Sequence, residues 1–375
     1  TSPIADMFQR EAYELYRNTI RLHPVGTGPF CLKETSDLNE NLSVFLSRHN
    51  QYHENDEFNN PLPYLDGIEI SFLKEKDLIV KKFLNHELDY IHRIPKKEIS
   101  IILKDSLRKS IYHDYVIQQL PELTTHYLGF NLSKKLLSDT LRKAFQYAIN
   151  TKLVMEAVLP YDSLQKRSLV PNYFSNYPFD SLNLPVFNID SAQKYLTKAG
   201  YPNGEKFPKI SISLYTDGER NSIIANNLKK QFKENLNIII EVNPMPLGQH
   251  LETVLNKETH LFLGEWTYQN PKIENFFYSF YSNYRTFPNL THYKNGRYDF
   301  YFKQALNTKS EKKKNFYLLK AEQNVIDNTG VIVLWHDKSF RLLQPKIRNF
   351  STNSLQLHNL CNVYFQPPQT LKEVF

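Results

Sequence analysis

Cysteine and long apolar runs are scarce in this chain of 375 residues. The two cysteines, Cys31 and Cys361, form neither a CxxC pair nor a metal-binding cluster, and they leave the redox compartment undecided. Nothing in the sequence supports or excludes a disulfide between them. No apolar run approaches the roughly 18 residues that a membrane-spanning helix needs. The chain does not start with a signal peptide, but a mature extracytoplasmic protein would look the same after its removal.

Catalytic motifs are lacking as well. The sequence has no Gly-x-Ser-x-Gly, no His-Glu-x-x-His and no Cys/His cluster, and its 12 histidines are scattered. The glycine-containing loop at 24–30 is followed by neither Lys-Ser/Thr nor a helix, which excludes a phosphate-binding P-loop. We therefore expect no metal, no cofactor and no enzymatic activity. A hydrolase with an unfamiliar motif is the alternative.

The composition indicates a folded protein whose charged residues are not clustered. Hydrophobic residues make up 41%, aromatic residues 14% and charged residues 23% of the chain, which excludes disorder over most of its length. The net charge of +7 arises from dispersed Lys and Arg, so we expect no nucleic-acid partner. The length exceeds the roughly 250–300 residues of a single core, which predicts two domains.

Hydrophobic periodicity predicts mixed secondary structure throughout the chain. In the first part, a strand ending at Phe72, a helix over 76–88 and a strand at 88–91 predict a βαβ unit with parallel strands. A second α/β region consists of a strand at Ile210–Tyr215, a helix at Arg220–Leu236, a strand at 237–242 and a helix at Leu247–Leu255 with Leu251 and Leu255 turned inward. Further predicted elements are helices over 6–22, 95–106, 298–307 and 310–328 and paired strands at 30–33 and 43–49.

The stretch at 261–271 is the strongest candidate for a binding site. Its apolar run predicts a buried strand that ends before Asn-Pro at 270–271. This prediction places Glu265, Trp266, Thr267 and Tyr268 at the strand end. Ligands of open α/β sheets bind at the carboxyl ends of strands, where side chains face a crevice. We expect polar groups and a flat aromatic face to meet a ligand there.

Several stretches carry a family resemblance. Pro-Val-Gly-Thr-Gly-Pro-Phe at 24–30, Pro-Tyr-Leu-Asp-Gly-Ile at 63–68, Tyr-Leu-Gly-Phe-Asn at 127–131, the helix at 141–150 and the Ala-Gly-Tyr-Pro-x-Gly turn at 199–204 resemble successive landmarks of one family. This family comprises the extracellular solute-binding proteins of the oligopeptide and dipeptide type, which are the binding subunits of ABC importers. The landmarks occur in order over nearly the whole chain.

The resemblance implies an α/β fold of two lobes, the type II periplasmic-binding-protein-like fold of the peptide-binding cluster. Lobe I would comprise residues 1–128 and be partial, lobe II residues 129–335, and residues 336–375 would return to lobe I. Two hinge crossings, near 128–132 and 332–338, would join the lobes. Relatives begin well before the landmark at 24–30, so we expect this chain to lack the start of the family's fold.

The implied function is capture of a peptide-like ligand between the lobes and its delivery to ABC permease subunits. The implied location is extracytoplasmic, in the periplasm or at the cell surface as a lipoprotein, with an N-terminal lipid anchor outside this chain. The alternatives are a sensory or scaffold protein of the same fold and a binder of a non-peptide solute.

The resemblance also raises a question about the ligand. Peptide-binding members hold the α-ammonium with an aspartate in a Gly-Trp-x-x-Asp stretch, and Thr267 occupies that place here. Threonine cannot supply a charge-assisted bond. Either Glu265 substitutes, or the ligand is not a peptide with a free N-terminus. Trp266 and Trp335 either wall the cleft or anchor the core, and Asn131 either binds the ligand or caps the hinge.

Overall fold

The computed structural model describes residues 26–35, 42–73, 75–92, 94, 98–99, 114–158, 167–216, 220–268, 270–351 and 359–366. The helix predicted over 6–22 lies outside the described residues. So does the helix predicted over 95–106, apart from residues 98–99, which are helical.

Strands and helices alternate irregularly along the chain. The strands are β1 (Phe30–Thr35), β2 (Leu42–Arg48), β3 (Gly67–Phe72), β4 (Tyr90–Ile91), β5 (Val116–Phe130), β6 (Ile210–Tyr215), β7 (Ile240–Met245), β8 (Leu261–Thr267), β9 (Val331–Leu343), β10 (Ile347–Arg348) and β11 (Tyr364–Phe365). The α-helices whose bounds lie within the described residues are α1 (Lys76–Leu84), α2 (Asp139–Ala148), α3 (Thr151–Val158), α4 (Ile189–Lys198), α5 (Arg220–Leu236), α6 (Leu247–Leu255), α7 (Asn275–Tyr278), α8 (Gly296–Asn307) and α9 (Glu311–Asp327).

The chain divides into two compact units. The smaller unit comprises Thr1–Leu120 and Ser339–Phe375, and the larger unit comprises Pro121–Lys338. Strands β5 and β9 pass from one unit into the other, at 120/121 and 338/339. The family resemblance implies boundaries at 128/129 and 335/336. The first boundary falls earlier in the structure because β5 pairs with β8 from Thr124 onward.

The smaller unit contains a three-stranded antiparallel sheet in the order β1-β2-β3. Its first two strands confirm the predicted pairing of residues 30–33 and 43–49. The predicted parallel βαβ unit is wrong. β3 pairs with β2, and β4 pairs antiparallel with β9 through Tyr90 and Leu343. A two-residue strand has little pairing preference of its own, so a distant segment decides its partner.

Both cysteines belong to the smaller unit and are free. Cys31 is exposed, whereas Cys361 is buried. Among the described residues, no helix combines the length and the apolar character needed to span a bilayer.

The larger unit is built on a sheet in which β9, β5, β8, β6 and β7 follow one another. β6 runs parallel to both β7 and β8, as the α/β pattern predicted, and β5 runs antiparallel to β8. The carboxyl ends of β6 and β8 therefore lie at the same edge of the sheet. That edge is where the site residues gather.

Helices cover the sheet of the larger unit and close its core. α2 begins at the cap Ser138, whose hydroxyl accepts a hydrogen bond from the Leu141 N–H at 3.3 Å, and it buries Leu141 and Phe145. α5 runs over Arg220–Leu236 as predicted and buries Leu228 and Phe232 on the same core. Fully buried apolar side chains of this size each contribute about 1.5–3 kcal/mol, so this core stabilises the sheet that carries the strand ends.

Helix α6 also has the predicted bounds, Leu247–Leu255, but its inward face was predicted wrongly. His250 and Val254 are buried, while Leu251 is 40% exposed. The face is therefore rotated by about one residue from the leucine pattern. His250 is buried on the face where the leucine periodicity predicted Leu251.

Candidate functional site

The predicted site residues of the 261–271 stretch lie at the carboxyl end of β8. The register of β5 and β8 pairs Glu265 with His126, and Thr267 with Thr124. Since side chains alternate along a strand, Glu265 and Thr267 point to one face of the sheet and Trp266 to the other. The strand end therefore presents its polar groups on a single face.

Four charged or ionisable side chains meet on that face. We name His126, Arg220, Glu265 and Asp337 the charged cluster. His126 Nε2 lies 2.7 Å from Asp337 Oδ2, and His126 Nδ1 lies 3.5 Å from Glu265 Oε2. The Arg220 guanidinium lies 3.6 Å from both Glu265 Oε2 and Asp337 Oδ2. Each carboxylate thus contacts the imidazole and the guanidinium.

Asp337 is the fixed member of the charged cluster. Its Oδ1 accepts a 2.9 Å hydrogen bond from the indole N–H of Trp335, and the Trp335 ring stacks on the imidazole of His126 at 4.2 Å. Burial opposes ionisation of Asp337. The charges of His126 and Arg220, together with these hydrogen bonds, nevertheless hold its pKa well below its usual range. Asp337 therefore stays ionised and orients the side chains of His126 and Arg220.

Glu265 is the less engaged carboxylate. Its side chain is 35% exposed, against 17% for Asp337. Its contacts of 3.5 and 3.6 Å are longer than the roughly 2.7–2.9 Å of a strong charge-assisted hydrogen bond. Glu265 can therefore accept further hydrogen bonds from a donor that reaches the strand end.

Trp266 packs on the opposite face. Its ring stacks on Tyr127 at 3.9 Å and meets Phe280 edge-on at 5.3 Å, and the side chain is 6% exposed. A Cβ at Gly264 would come within 2.5 Å of the Tyr127 ring, so the absent side chain makes room for this stack. Core packing is thus the role that the contacts of Trp266 display.

Trp335 is also buried, at 1% exposed, but it belongs to the face of the charged cluster. The two tryptophans therefore do not form one continuous wall. Trp335 acts on the site through His126 and Asp337, which it stacks on and hydrogen-bonds.

The hydroxyl groups of the remaining strand-end residues, Thr267 and Tyr268, each lie close to a hydroxyl group of another residue. The hydroxyl oxygens of Thr267 and Thr124 lie 3.1 Å apart across the strands. Tyr268 places its hydroxyl 3.2 Å from that of Ser279, and burial raises the pKa of Tyr268. Thr267 thus carries no charge where the family resemblance predicted an ammonium ligand.

Asn131 lies elsewhere. It follows β5 at the end opposite to the charged cluster, about 17 Å along the strand from His126 at roughly 3.4 Å per residue. Its amide Nδ2 donates to the carbonyl of Thr259 at 2.9 Å, and its Oδ1 accepts from the Ser133 hydroxyl at 2.6 Å. These contacts tie the end of β5 to the segment before β8 and to the turn that follows β5. A role of Asn131 in ligand binding or in capping the hinge stays a prediction.

Sequence reasoning missed three members of the charged cluster: His126, Arg220 and Asp337. Arg220 could have been predicted from its position, because it begins α5 after β6, and the carboxyl ends of β6 and β8 lie at the same edge of the sheet. His126 lies in the strand that was recognised by its Gly-Phe-Asn end, and Asp337 lies two residues beyond Trp335. The meeting of His126 with Glu265 depends on the antiparallel register of β5 and β8, which no local pattern encodes.

Comparison with known proteins gives the family. A sequence profile described as bacterial extracellular solute-binding proteins, family 5, middle region, matches residues 1–288. The chain belongs to this family. Its type II peptide-binding periplasmic fold, expected from the sequence, is confirmed by the structural relatives described next.

The dipeptide-binding protein of Escherichia coli is 20% identical over 357 residues, which cover 91% of this chain and 61% of that protein. The chain thus spans about 61% of the length of this relative. A periplasmic oligopeptide-binding protein of Borrelia burgdorferi is 26% identical with a TM-score of 0.71, covering 95% of this chain and 68% of that one. A dipeptide-binding protein of a Pseudoalteromonas species in complex with Met-Leu is 19% identical with a TM-score of 0.72, covering 96% and 69%.

Proposed function

We propose that this chain is part of the extracytoplasmic solute-binding component of an ABC importer and captures a peptide-like ligand without converting it chemically. The charged cluster carries this proposal. It presents a half-exposed carboxylate and a half-exposed guanidinium side by side at a strand end, with exposed fractions of 35% for Glu265 and 33% for Arg220. A peptide carries an ammonium group, which complements the carboxylate, and carbonyl or carboxylate oxygens, which complement the guanidinium.

In this proposal Glu265 receives the ligand's ammonium group. Its long contacts leave lone pairs available, whereas both carboxylate oxygens of Asp337 already contact Trp335, His126 or Arg220. Arg220 then faces a carbonyl or carboxylate oxygen of the ligand, for which its planar guanidinium is suited. Asp337 acts through His126 and Arg220, and Trp335 acts through His126 and Asp337, so both serve as positioning residues.

We base two further steps of this proposal on membership of the family: the two units close on the ligand, and the ligand is delivered to permease subunits. The extracytoplasmic location and the attachment by an N-terminal lipid anchor stay predictions. The family's hinge motion would correspond to the two strands, β5 and β9, that pass between the units.

Thr267 favours a second candidate, a solute without a free ammonium group. Its hydroxyl is paired with Thr124 and cannot replace a carboxylate. A non-peptide solute or an N-blocked peptide would not need that carboxylate, and Arg220 would then dominate recognition.

Mass spectrometry of the denatured, purified protein tests the function by identifying co-purified ligand. We expect peptides, and a bound solute without any peptide bond would overturn the peptide assignment. Where the protein purifies empty, calorimetric titration with Met-Leu and with tripeptides supplies the same answer. Binding without product formation fits the proposal, whereas turnover of the peptide would contradict it.

The Glu265→Gln variant tests the site. A charge-assisted bond contributes about 1.5–3 kcal/mol, reduced here to about 1–2 kcal/mol because the carboxylate is partly exposed. We therefore expect affinity to fall about 5- to 30-fold. Glu234→Gln is the matched control, since Glu234 is an exposed residue of α5 whose carboxylate lies 3.8 Å from Lys230. Equal affinities for the two variants would contradict the assigned role.

A further inference from the structure

The larger unit contains a second recess, which shares no residue with the charged cluster. Its volume is about 550 Å³, within the range of roughly 300–1,000 Å³ that is typical of small-molecule sites. The acidic and basic side chains that line it are Asp139, Arg142, Lys257, Arg285, His292 and Lys294.

The acidic and basic groups of this recess do not balance. Arg142 is buried and donates to the Asp139 carboxylate and, at 2.9 Å, to the carbonyl of Thr329, so these two charges cancel within the fold. Lys257, Arg285 and Lys294 are exposed, and none of them belongs to an ion pair within the described part of the chain. The recess is therefore lined by cations that the described protein residues do not neutralise.

His292 adds little charge to this surface. Burial lowers the pKa of His292, and its Nδ1 lies 3.2 Å from the backbone carbonyl of Arg285. The imidazole therefore contributes shape and hydrogen bonding at neutral pH, and the positive potential comes from the lysines and the arginine.

Two helix N-termini open at the same recess. Asn295 lines it and caps α8, accepting hydrogen bonds from the N–H groups of Arg297 at 3.0 Å and Tyr298 at 3.1 Å. Asp139, the first residue of α2, lines it as well. The dipole of α8 adds to the positive potential of the cationic side chains, whereas the Asp139 carboxylate offsets the dipole of α2.

The wall that carries Arg285 and Lys294 is held rigidly. The buried Asn289 donates from Nδ2 to the carbonyls of Tyr284 at 3.1 Å and Tyr293 at 2.9 Å, and its Oδ1 accepts from the Tyr293 N–H at 2.9 Å. One amide therefore ties both sides of the segment between these cations. A preorganised wall lowers the ordering cost of binding.

We propose that this recess is a second binding site, for a ligand that carries a phosphate group. A phosphate monoester or diester offers several acceptor oxygens and a compact negative charge, which guanidinium and ammonium groups bind well. The phosphate belongs either to a small soluble ester or to the headgroup of an anionic phospholipid. This inference does not depend on the proposed function of the charged cluster.

Binding measurements with two kinds of probe test the proposal. Inorganic phosphate and glycerol 3-phosphate are titrated by calorimetry, and vesicles of phosphatidylcholine with and without phosphatidylglycerol are tested by cosedimentation. The test variant is Lys257→Gln with Lys294→Gln. Its control is Lys312→Gln with Lys313→Gln, which removes the same charge from exposed positions of the first turn of α9. All four lysines are exposed, so both variants should fold, and circular dichroism and thermal melts verify this.

We expect saturable binding of at least one probe, weakened about tenfold or more in the test variant and unchanged in the control. Binding of the soluble phosphates assigns a small ester as the ligand, and binding of the phosphatidylglycerol vesicles alone assigns a lipid headgroup. Equal weakening of probe binding in both variants would attribute the effect to net charge alone and would contradict the proposed site. Absence of binding of every probe to the wild-type protein would overturn it as well.

Discussion

The buried carboxyl group of Glu322 should make the stability of the larger unit depend on pH. Glu322 is 0% exposed, and its carboxylate accepts hydrogen bonds from the Tyr177 hydroxyl at 2.6 Å and from the Leu169 N–H at 2.5 Å. Burial raises the pKa of Glu322 from 4.5 to about 7, and these hydrogen bonds oppose the rise only in part. α9, which carries Glu322, is thereby tied to the segment around Leu169 and Tyr177.

The direction of the effect follows from proton binding. Between pH 4.5 and about pH 7, the folded state holds a proton on Glu322 that the unfolded state has released. The resulting stabilisation is complete below about pH 4.5 and is lost as the pH rises through about 7. At about 1.4 kcal/mol for each pKa unit, the full difference amounts to about 3 kcal/mol.

Urea denaturation at pH 5 and at pH 8 measures this contribution, because glutamine at position 322 cannot ionise. We expect the free energy of unfolding of the wild type, relative to Glu322→Gln, to fall by about 2–3 kcal/mol between these pH values. Glu234→Gln, at an exposed position, should show no such change relative to the wild type. A difference between wild type and Glu322→Gln that is the same at both pH values would refute the reasoning.

Two further substitutions test packing and hydrogen bonding. Gly264→Ala should lower the free energy of unfolding by about 1–3 kcal/mol, because its Cβ would meet the Tyr127 ring at 2.5 Å. Gly248→Ala, in α6 with nothing within 4 Å, should be neutral or stabilising by up to about 1 kcal/mol, and similar urea midpoints for the two variants would argue against the packing account. Asn289→Ala should cost about 2–4 kcal/mol, because it leaves buried carbonyls and an N–H without partners. Unchanged stability together with unchanged hydrogen exchange at the Tyr293 amide would contradict that role.

The sequence was most informative where periodicity and local signals agree. The bounds of α5 and α6 match the predicted Arg220–Leu236 and Leu247–Leu255, since apolar spacing and the flanking residues define both helices. The parallel arrangement of β6, β7 and β8 followed from the alternation of strands and helices. Local pattern was therefore sufficient for the bounds of these two helices and for the parallel direction of these three strands.

Sequence reasoning failed where distant segments compete. The pairing of β4 with β9 joins residues about 250 positions apart, and local pattern favoured a parallel partner nearby. The charged cluster depends in the same way on the register of β5 and β8, which sets His126 opposite Glu265. Glu265 could be named from its strand end, whereas the partners that define its chemistry could not.

The central claim is that Glu265 holds the ammonium group of a peptide-like ligand, and a calorimetric double cycle tests it most directly. Affinities are measured for a bound peptide and its N-acetylated form, each with the wild-type protein and with Glu265→Gln. If the two groups interact, either change alone should weaken binding about 5- to 30-fold, and acetylation should cost little further affinity in the variant. Equal losses on acetylation in the wild type and in Glu265→Gln would show that Glu265 does not contact the ammonium group and would contradict the claim.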